Sequence, residues 1–170
     1  MLTIENAISY NNFINLSGPC ISVLGGKCSS AIFSRARASS EYPSPTNQWG
    51  SKHAIDGIVS EESSDIFSSR SEDYPWLELE MPEGNVSGVV IVTTQTFQKV
   101  EIRAGMNSIQ DGYKGILTIN TKVAYFAGPA PDGQTFTIHF EMKIVAKFIS
   151  IQCIDKDVFL EINEALALVP

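Results

Sequence analysis

Long hydrophobic runs and positive charge are both scarce in this 170-residue sequence. Its apolar stretches are short and interrupted by polar residues, whereas a membrane-spanning helix needs about 20 apolar residues in succession. Lys and Arg together number 12 against 19 Asp and Glu, which gives a formal net charge of −7. Partners held by phosphate neutralisation require a clustered basic face. The composition therefore disfavours nucleic acid as a partner and insertion into an anionic membrane.

Histidine and cysteine, which often carry catalysis or bind zinc, are also few. His53 and His139 lie in no Gly-x-Ser-x-Gly, His-Glu-x-x-His or Gly-rich phosphate-binding pattern. The sequence therefore predicts a protein that is not an enzyme. Cys20, Cys28 and Cys153 are an odd number, so at least one thiol has no partner within the chain. Two interpretations stay open: a Cys20 to Cys28 bridge around a Gly-rich turn, or three reduced cysteines.

A convincing helical repeat is absent as well, and where the chain is periodic the period is two. Apolar and polar residues alternate over 77–81, 100–106, 136–142 and 149–153, the pattern of a half-buried strand. The run 89–92 is continuously apolar and β-branched, as expected of a strand covered on both faces. Many short strands separated by turn residues predict an all-β, antiparallel sandwich or barrel.

We find no internal repeat, linker or low-complexity tail, so residues 1–170 are predicted to form a single domain. Residues 1–30 are apolar enough to add a strand, and we expect an N-terminal extension packed on the sandwich. Turn-forming residues at 82–88 predict a break between two strands. The polar, acidic segment 59–74 predicts a long surface loop.

Several motifs, taken in order, resemble the discoidin or coagulation factor V/VIII type C family. They are ARASSEYPSPTNQWGSKHAIDG from Ala36, then DIFSSRSEDYPWLELEM, VSGVVIVTT, KVEIRAG, AKFISIQ and LEINEALAL. The family pattern has an Ala-Ser-Ser opening, an Ala-x-Asp-Gly turn, a Trp-Ser-Ser segment, a Trp before an alternating strand and a Glu in the closing strand. The resemblance covers residues 36–168, with Phe67 where the family usually has the Trp of Trp-Ser-Ser. It implies a discoidin-like, galactose-binding-domain-like jelly-roll β-sandwich.

Fucose-binding F-type lectins share this fold and much of this pattern. They hold the sugar with a loop His and an Arg-x-Asp-x4-Arg motif, because guanidinium and imidazole groups satisfy the hydroxyls of the ring. The corresponding segment here, residues 93–99, reads TTQTFQK. Fucose binding by that mechanism is therefore not expected.

The resemblance also implies a structural calcium ion between the Ala-x-Asp-Gly turn and the Glu of the last strand. Carried over here, its carboxylates are Asp56 and Glu164. Calcium takes six to eight hard oxygen ligands in a flexible cage, which magnesium fits poorly. The residues alone favour another interpretation, in which Asp56 and Gly57 form an ordinary turn and Glu164 is an exposed residue of an edge strand; the resemblance is what favours calcium. The other implied oxygen ligands are the carbonyls of His53, Ile58 and Asn163 and an oxygen of Ser68.

In this fold a ligand is held by loops at one end of the sandwich, and the first such loop is 43–53. Its Trp49 offers a flat apolar platform beside hydrogen-bonding side chains, a combination that recognises a sugar ring or a partner side chain. Alternatively, Trp49 folds back as a loop anchor. Trp76 is expected in the core. The predicted ligand-binding residues are Asn47, Trp49, Lys52, Arg70, Gln95 and Phe97.

We therefore predict a non-catalytic, calcium-stabilised module that recognises cell-surface or secreted glycans. The alternative is a protein adhesion or assembly module of a larger protein that binds no sugar. The first twelve residues lack the basic start, apolar middle and cleavage site of a secretory signal. The chain is thus expected either to be cytoplasmic or to be part of a longer extracellular or cell-surface protein.

Overall fold

The computed structural model describes residues 30–31, 33–60, 64–93, 97–130 and 133–169. Within these ranges the chain forms nine β-strands and one short 3-10 helix, and no helix in them is long and apolar enough to cross a membrane. The all-β prediction is confirmed. The elements are β1 (Ser30–Ala31), β2 (Arg35–Ala38), the 3-10 helix (Ser51–Ile55), β3 (Phe67–Ser68), β4 (Trp76–Val92), β5 (Val100–Gly105), β6 (Thr121–Phe126), β7 (Thr135–Cys153), β8 (Glu161–Ile162) and β9 (Glu164–Leu168).

Two long antiparallel strands, β4 and β7, form the centre of the fold. The first half of β4 pairs with β2 and with the second half of β7, which in turn pairs with β5, and β5 pairs with β6. The second half of β4 pairs with the first half of β7 and with β9, whose far end pairs with β1. The small strands β3 and β8 form a separate two-stranded sheet.

Both long strands are irregular where one half of the sheet passes into the other. The register between β4 and β7 shifts between Glu80 and Gly84 and again between Val86 and Gly88. Strands of a sandwich change layers through bulges and bends of this kind. The turn predicted at 82–88 is therefore wrong. These residues continue β4, because pairing with β7 holds their backbone extended.

Side chains from both halves of the sheet fill one core. Leu77 and Leu79 from the first half of β4 and Val89 and Ile91 from the second half are completely buried in the same apolar cluster. All four residues of 89–92 are at most 2% exposed, so the prediction of a strand covered on both faces is confirmed.

Two methionines depart from the predicted alternation. Met106 lies just beyond the end of β5, and Met142 lies in the stretch of β7 that the register shift leaves without partners in β4. Their exposed fractions are 44% and 62%. The alternation of a sequence can thus continue past the point where the paired backbone ends.

The loop after β5 covers the outer face of the first half of the sheet through both apolar and polar contacts. Trp76 is buried, as predicted, against Ile109 and Leu117, and its indole Nε1 donates to the carbonyl of Tyr113. The buried carboxylate of Glu78 accepts hydrogen bonds from Arg37 at 2.6 Å and from the backbone N–H of Ile109 at 2.5 Å. These contacts fasten the loop after β5 to β2 and β4.

The expected packing of residues 1–30 concerns positions outside the described ranges, apart from Ser30, which pairs with Leu168. Cys20 and Cys28 lie outside those ranges as well. The thiol of Cys153 is free and buried, and burial raises its pKa.

Gly88 provides a test of the strand crossing. A Cβ built there would lie 2.5 Å from the backbone carbonyl oxygen of Ile138, whereas at Gly84 the nearest atom would be 3.8 Å away. Backbone cannot give way as a flexible side chain does, and overpacking of this kind costs about 1–3 kcal/mol. We expect Gly88→Ala to lower the free energy of unfolding by about that amount in urea denaturation. Gly84→Ala, the control, should change it little, and equal effects would contradict the crossing geometry.

Candidate functional site

An open pocket of about 580 Å³ lies between β2, the loop that follows it, and Arg70. We call it the loop pocket. Most of its lining is polar, and it includes one exposed aromatic ring. The lining residues are Ala36, Arg37, Ala38, Ser40, Glu41, Tyr42, Pro43, Ser44, Asn47, Ser51 and Arg70.

Hydrogen bonds between distant parts of the chain hold the wall of this pocket. The backbone N–H of Ser51 donates to Oε1 of Glu41 at 2.7 Å, and its hydroxyl donates to the carbonyl of Ala36 at 3.2 Å. The carbonyl of Trp49 accepts from the N–H of Ser68 on β3 at 3.2 Å. The loop is therefore tied both to β2 and to the small sheet, and its shape is formed before any ligand binds.

The pocket presents a hydrogen-bond donor with spare capacity next to acceptors. Arg70 is exposed, and its side chain makes one hydrogen bond, from Nε to the carbonyl of Glu41 at 3.3 Å. In the part of the chain that the structure describes, its two Nη groups have no partner. The carboxylate of Glu41 and the amide of Asn47 line the same space. Such a set of donors and acceptors suits a polyhydroxylated ligand.

Three aromatic rings form a ridge at the rim. Tyr42 lies edge-on to Trp49, with ring centroids 5.1 Å apart, and 6.2 Å from the ring of Phe159. Tyr42 and Phe159 are 42% and 49% exposed, whereas Trp49 is half-buried. The exposed apolar faces beside the loop pocket are therefore those of Tyr42 and Phe159.

The structure brings only some of the predicted ligand-binding residues together. Asn47 and Arg70 line the loop pocket. Trp49 does not line it but contacts Tyr42, which does. Lys52 is exposed on the 3-10 helix and is not part of the lining. Gln95 lies outside the described residues.

Phe97 is a core residue, which corrects its predicted place in the ligand site. It is 3% exposed and packs against Phe126 and Phe136 at centroid distances of 5.6 and 5.5 Å. Its backbone exchanges two hydrogen bonds with Ala130, and this bridge turns the ring inward.

Sequence reasoning missed Glu41, Tyr42 and Phe159. Glu41 and Tyr42 directly precede the Pro-rich loop, so their position next to a loop rich in turn residues was the available signal. Phe159 follows the polar turn at 155–157, close before the final strands. Its distance of more than a hundred positions from Tyr42 hides the contact from any local pattern.

A buried carboxylate contacts the turn that follows the 3-10 helix. Glu164 at the start of β9 is completely buried; its Oε2 accepts from the N–H of Gly57 at 3.0 Å, and among the described residues its Oε1 has no hydrogen-bond partner. Burial raises the pKa of Glu164 to about 9, and the charge of Asp56 adds to the rise while the Gly57 N–H opposes it. Of the two interpretations of Glu164, the exposed edge-strand residue is excluded.

The turn at Asp56 and Gly57, which Glu164 contacts, has both of the features expected of an ordinary turn. Oδ1 of Asp56 accepts from the N–H of Ile58 at 2.9 Å, and Gly57 has a φ of 79°, which suits glycine. Oδ2 of Asp56 lies 3.0 Å from Nδ1 of His53. Each carboxylate oxygen still has a second lone pair. The turn and a cation site are therefore compatible at Asp56.

The remaining predicted calcium ligands are spread around this turn. Asn163 clamps the chain after the turn, since its side chain both accepts from the N–H of Ser60 at 2.9 Å and donates to its carbonyl at 2.7 Å. Ser68 is occupied elsewhere: its carbonyl accepts from the N–H of Tyr42, and its hydroxyl donates to Glu161. The structure therefore connects Ser68 to the loop pocket rather than to Glu164.

Side chains alone do not complete a metal site. Across the described residues, no group of three or more His, Cys, Asp or Glu side chains is placed to hold a metal ion. A cation here would rest on two carboxylates and on carbonyl oxygens. The donor chemistry fits calcium, and the unpartnered oxygen of Glu164 is the observation that supports the fit.

No protein-family model matches the sequence, and no curated protein matches it. Solved structures do match. An F-lectin (fucolectin) from striped bass serum superposes with a TM-score of 0.65 at 18% identity, over 79% of this chain and 46% of that chain, so this chain spans about half of the lectin's length. The family 32 carbohydrate-binding module of Clostridium perfringens NanJ, solved with galactose, gives 0.59 at 22% identity, over 78% and 91%.

A third match is chitosan-binding module 1 of a Paenibacillus chitosanase/glucanase, with a TM-score of 0.59 at 18% identity, over 80% of this chain and 95% of that module. At these identities the likeness concerns the fold. The chain has the antiparallel β-sandwich fold of F-lectins and family 32 carbohydrate-binding modules.

Proposed function

We propose that this protein is a non-catalytic module that binds glycans in the loop pocket. The observation that carries the proposal is the pocket itself: the Nη groups of Arg70, which no described residue bonds, and the carboxylate of Glu41 line the same space as the exposed ring of Tyr42. Sugar rings are recognised by hydrogen bonds to their hydroxyls and by stacking of their apolar face on an aromatic ring. The fold shared with lectins and carbohydrate-binding modules supports the same proposal.

A glycan of the cell surface or of secreted material is the ligand class we infer. The pocket is open, with room for a terminal sugar rather than an enclosed small molecule, and the net charge of −7 disfavours phosphate-rich partners. We propose that the module acts outside the cell or at its surface, where such glycans occur.

Binding to a glycan array, with calcium and with chelator, tests the proposal directly. We expect a reproducible set of bound glycans whose affinity falls about 10- to 100-fold in Arg70→Ala, because hydrogen bonds to charged groups contribute about 1.5–3 kcal/mol. Arg35→Ala is the matched control, since Arg35 is exposed on β2 but outside the pocket lining. If no glycan binds in either condition, the glycan proposal is wrong, and the alternative of a protein adhesion or assembly module is favoured.

The aromatic ridge gives an independent prediction. Tyr42→Ala should weaken the same glycans about 10-fold, because a stacking face is lost at the rim. Tyr125→Ala should have no effect; Tyr125 is exposed to nearly the same extent, 40% against 42%, but lies on β6. Isothermal titration calorimetry with the strongest array glycan measures both, and equal losses in the two variants would argue against binding at this ridge.

We further propose that calcium stabilises the fold at Asp56 and Glu164. Glu164 is a buried carboxylate with an oxygen that no described residue bonds, and burial, followed by the neighbouring charge of Asp56, raises its pKa. A cation would allow both carboxylates to be ionised together, which burial and their mutual repulsion otherwise oppose. When bound, the ion supplies positive charge to both carboxylates; Asp56, Glu164 and nearby backbone carbonyls would hold it.

Calcium should therefore raise the melting temperature of the protein. An ion that binds only the folded state stabilises it by about 2.7 kcal/mol at a hundred times its dissociation constant, which is several degrees for a domain of this size. Magnesium at the same concentration should do less. Differential scanning fluorimetry with calcium, with magnesium and with chelator measures the effect.

Glu164→Gln separates the ion from the fold. Glutamine keeps an acceptor for the N–H of Gly57 and, like the protonated carboxyl that a pKa of about 9 favours at neutral pH, carries no charge, so the chelated variant should melt close to the chelated parent and no longer respond to calcium. Glu83→Gln, at an exposed position on β4, is the control and should keep the response. An unchanged melting temperature of the parent with calcium would reject the ion.

A further inference from the structure

His53 connects the two sites described above. Its Nδ1 lies 3.0 Å from Oδ2 of Asp56, and its Nε2 lies 3.1 Å from the carbonyl oxygen of Asn47. The ring is largely enclosed, with 12% of the side chain exposed. Asp56 belongs to the turn of the calcium proposal, and Asn47 lines the loop pocket. One side chain therefore contacts a residue of each.

The conformation of Asn47 depends on contacts from outside its own residue. Its φ of 52° lies in the left-handed region, which is costly for residues other than glycine although Asn adopts it more readily than most. Its carbonyl accepts from the N–H of Gly50 at 3.3 Å as well as facing His53. Its side-chain amide lies so close to Gly50 that a Cβ there would be 2.8 Å from Nδ2. Residues 47–50 are thus one bonded segment, which we call the 47–50 wall; it lines the pocket through Asn47, and His53 helps to hold it.

The other end of this chain of contacts is the pair of carboxylates. Glu164 is bonded to Gly57, the residue after Asp56, and the charge of Asp56 acts on Glu164. A cation held by both groups would fix the carboxylate of Asp56, and with it the ring of His53, whose Nδ1 lies 3.0 Å from Oδ2 of Asp56.

We propose that a cation at Asp56 and Glu164 orders the 47–50 wall of the loop pocket, with His53 as the positioning residue that joins the two. This inference rests on the proposed calcium site. Binding free energies linked in this way are reciprocal, so occupation of the pocket strengthens cation binding by the same factor. Couplings of this kind amount to about 5- to 150-fold.

Hydrogen–deuterium exchange of the full chain, with calcium alone as the probe, tests the coupling without any sugar. In the parent protein we expect saturating calcium to slow exchange at the N–H groups of Asn47, Gly50 and Ser51 by about 5-fold or more relative to chelator. These three N–H groups bond within the pocket wall, to Ser44, Asn47 and Glu41.

Two variants of His53 give the readout that a merely structural residue would not. His53→Gln places one donor where Nε2 lies and none at the position of Nδ1, so it keeps the contact to Asn47 and loses that to Asp56; His53→Ala loses both. In each, calcium should still raise the melting temperature while the calcium-dependent slowing at 47–51 disappears. Lys52→Ala, at the exposed neighbour on the same helix, should retain both responses.

The outcomes distinguish the two proposals. If calcium leaves the melting temperature of the parent unchanged, the calcium site is wrong, and the coupling falls with it. If calcium raises the melting temperature but exchange at 47–51 does not change, the ion stands and the coupling is wrong. Slowing that persists in both His53 variants would overturn the role of His53.

Discussion

The backbone ladder between β4 and β7 positions everything else in this protein. It crosses from one half of the sheet to the other through two register shifts, so a single pair of strands supplies both faces of the core. The start of β4 pairs with the end of β2, where the chain leaves for the loop pocket. Its last residue, Val92, pairs with Glu164 and accepts from the N–H of Asn163. The pocket and the carboxylate site are thus fixed by opposite ends of one strand.

Buried polar groups show why Glu164 differs from its counterparts. Glu78 accepts from Arg37, Ser108 and Ile109, and the amide of Gln152 is satisfied by Leu117, Tyr74 and Gly115. Both side chains attach loops to the sheet through these hydrogen bonds. Glu164 has an oxygen that no described residue bonds, and the charge of Asp56 lies near it. Within the described ranges the hydroxyl of Ser150 also lacks a partner, but a neutral hydroxyl is far less costly to bury than an ionised carboxylate. This unsatisfied oxygen of Glu164 is the feature that the calcium proposal would explain.

The fold was predictable because burial leaves a period-two pattern in the sequence, as at 77–81 and 149–153. The pattern failed at 82–88, where Pro and Gly predicted a turn and pairing with β7 keeps the chain extended. The site was less predictable. Asn47 and Arg70 were found through their place in loops, whereas Phe97 was misplaced because a loop residue can be turned inward by a bridge to a distant strand. Tyr42 and Phe159 meet only after folding.

Residue type and short-range order were enough to predict the sheet class and most strands of the core, whereas the two carboxylates of the proposed cation site came only from the resemblance to a known family. Three features could be seen only in the folded structure. Glu164 is buried, and Arg70 lines one pocket with Glu41 and Tyr42. His53 contacts both Asn47 and Asp56. Each of the three depends on distances set by the pairing of strands far apart in the chain. Such distances leave no periodic trace in a single sequence.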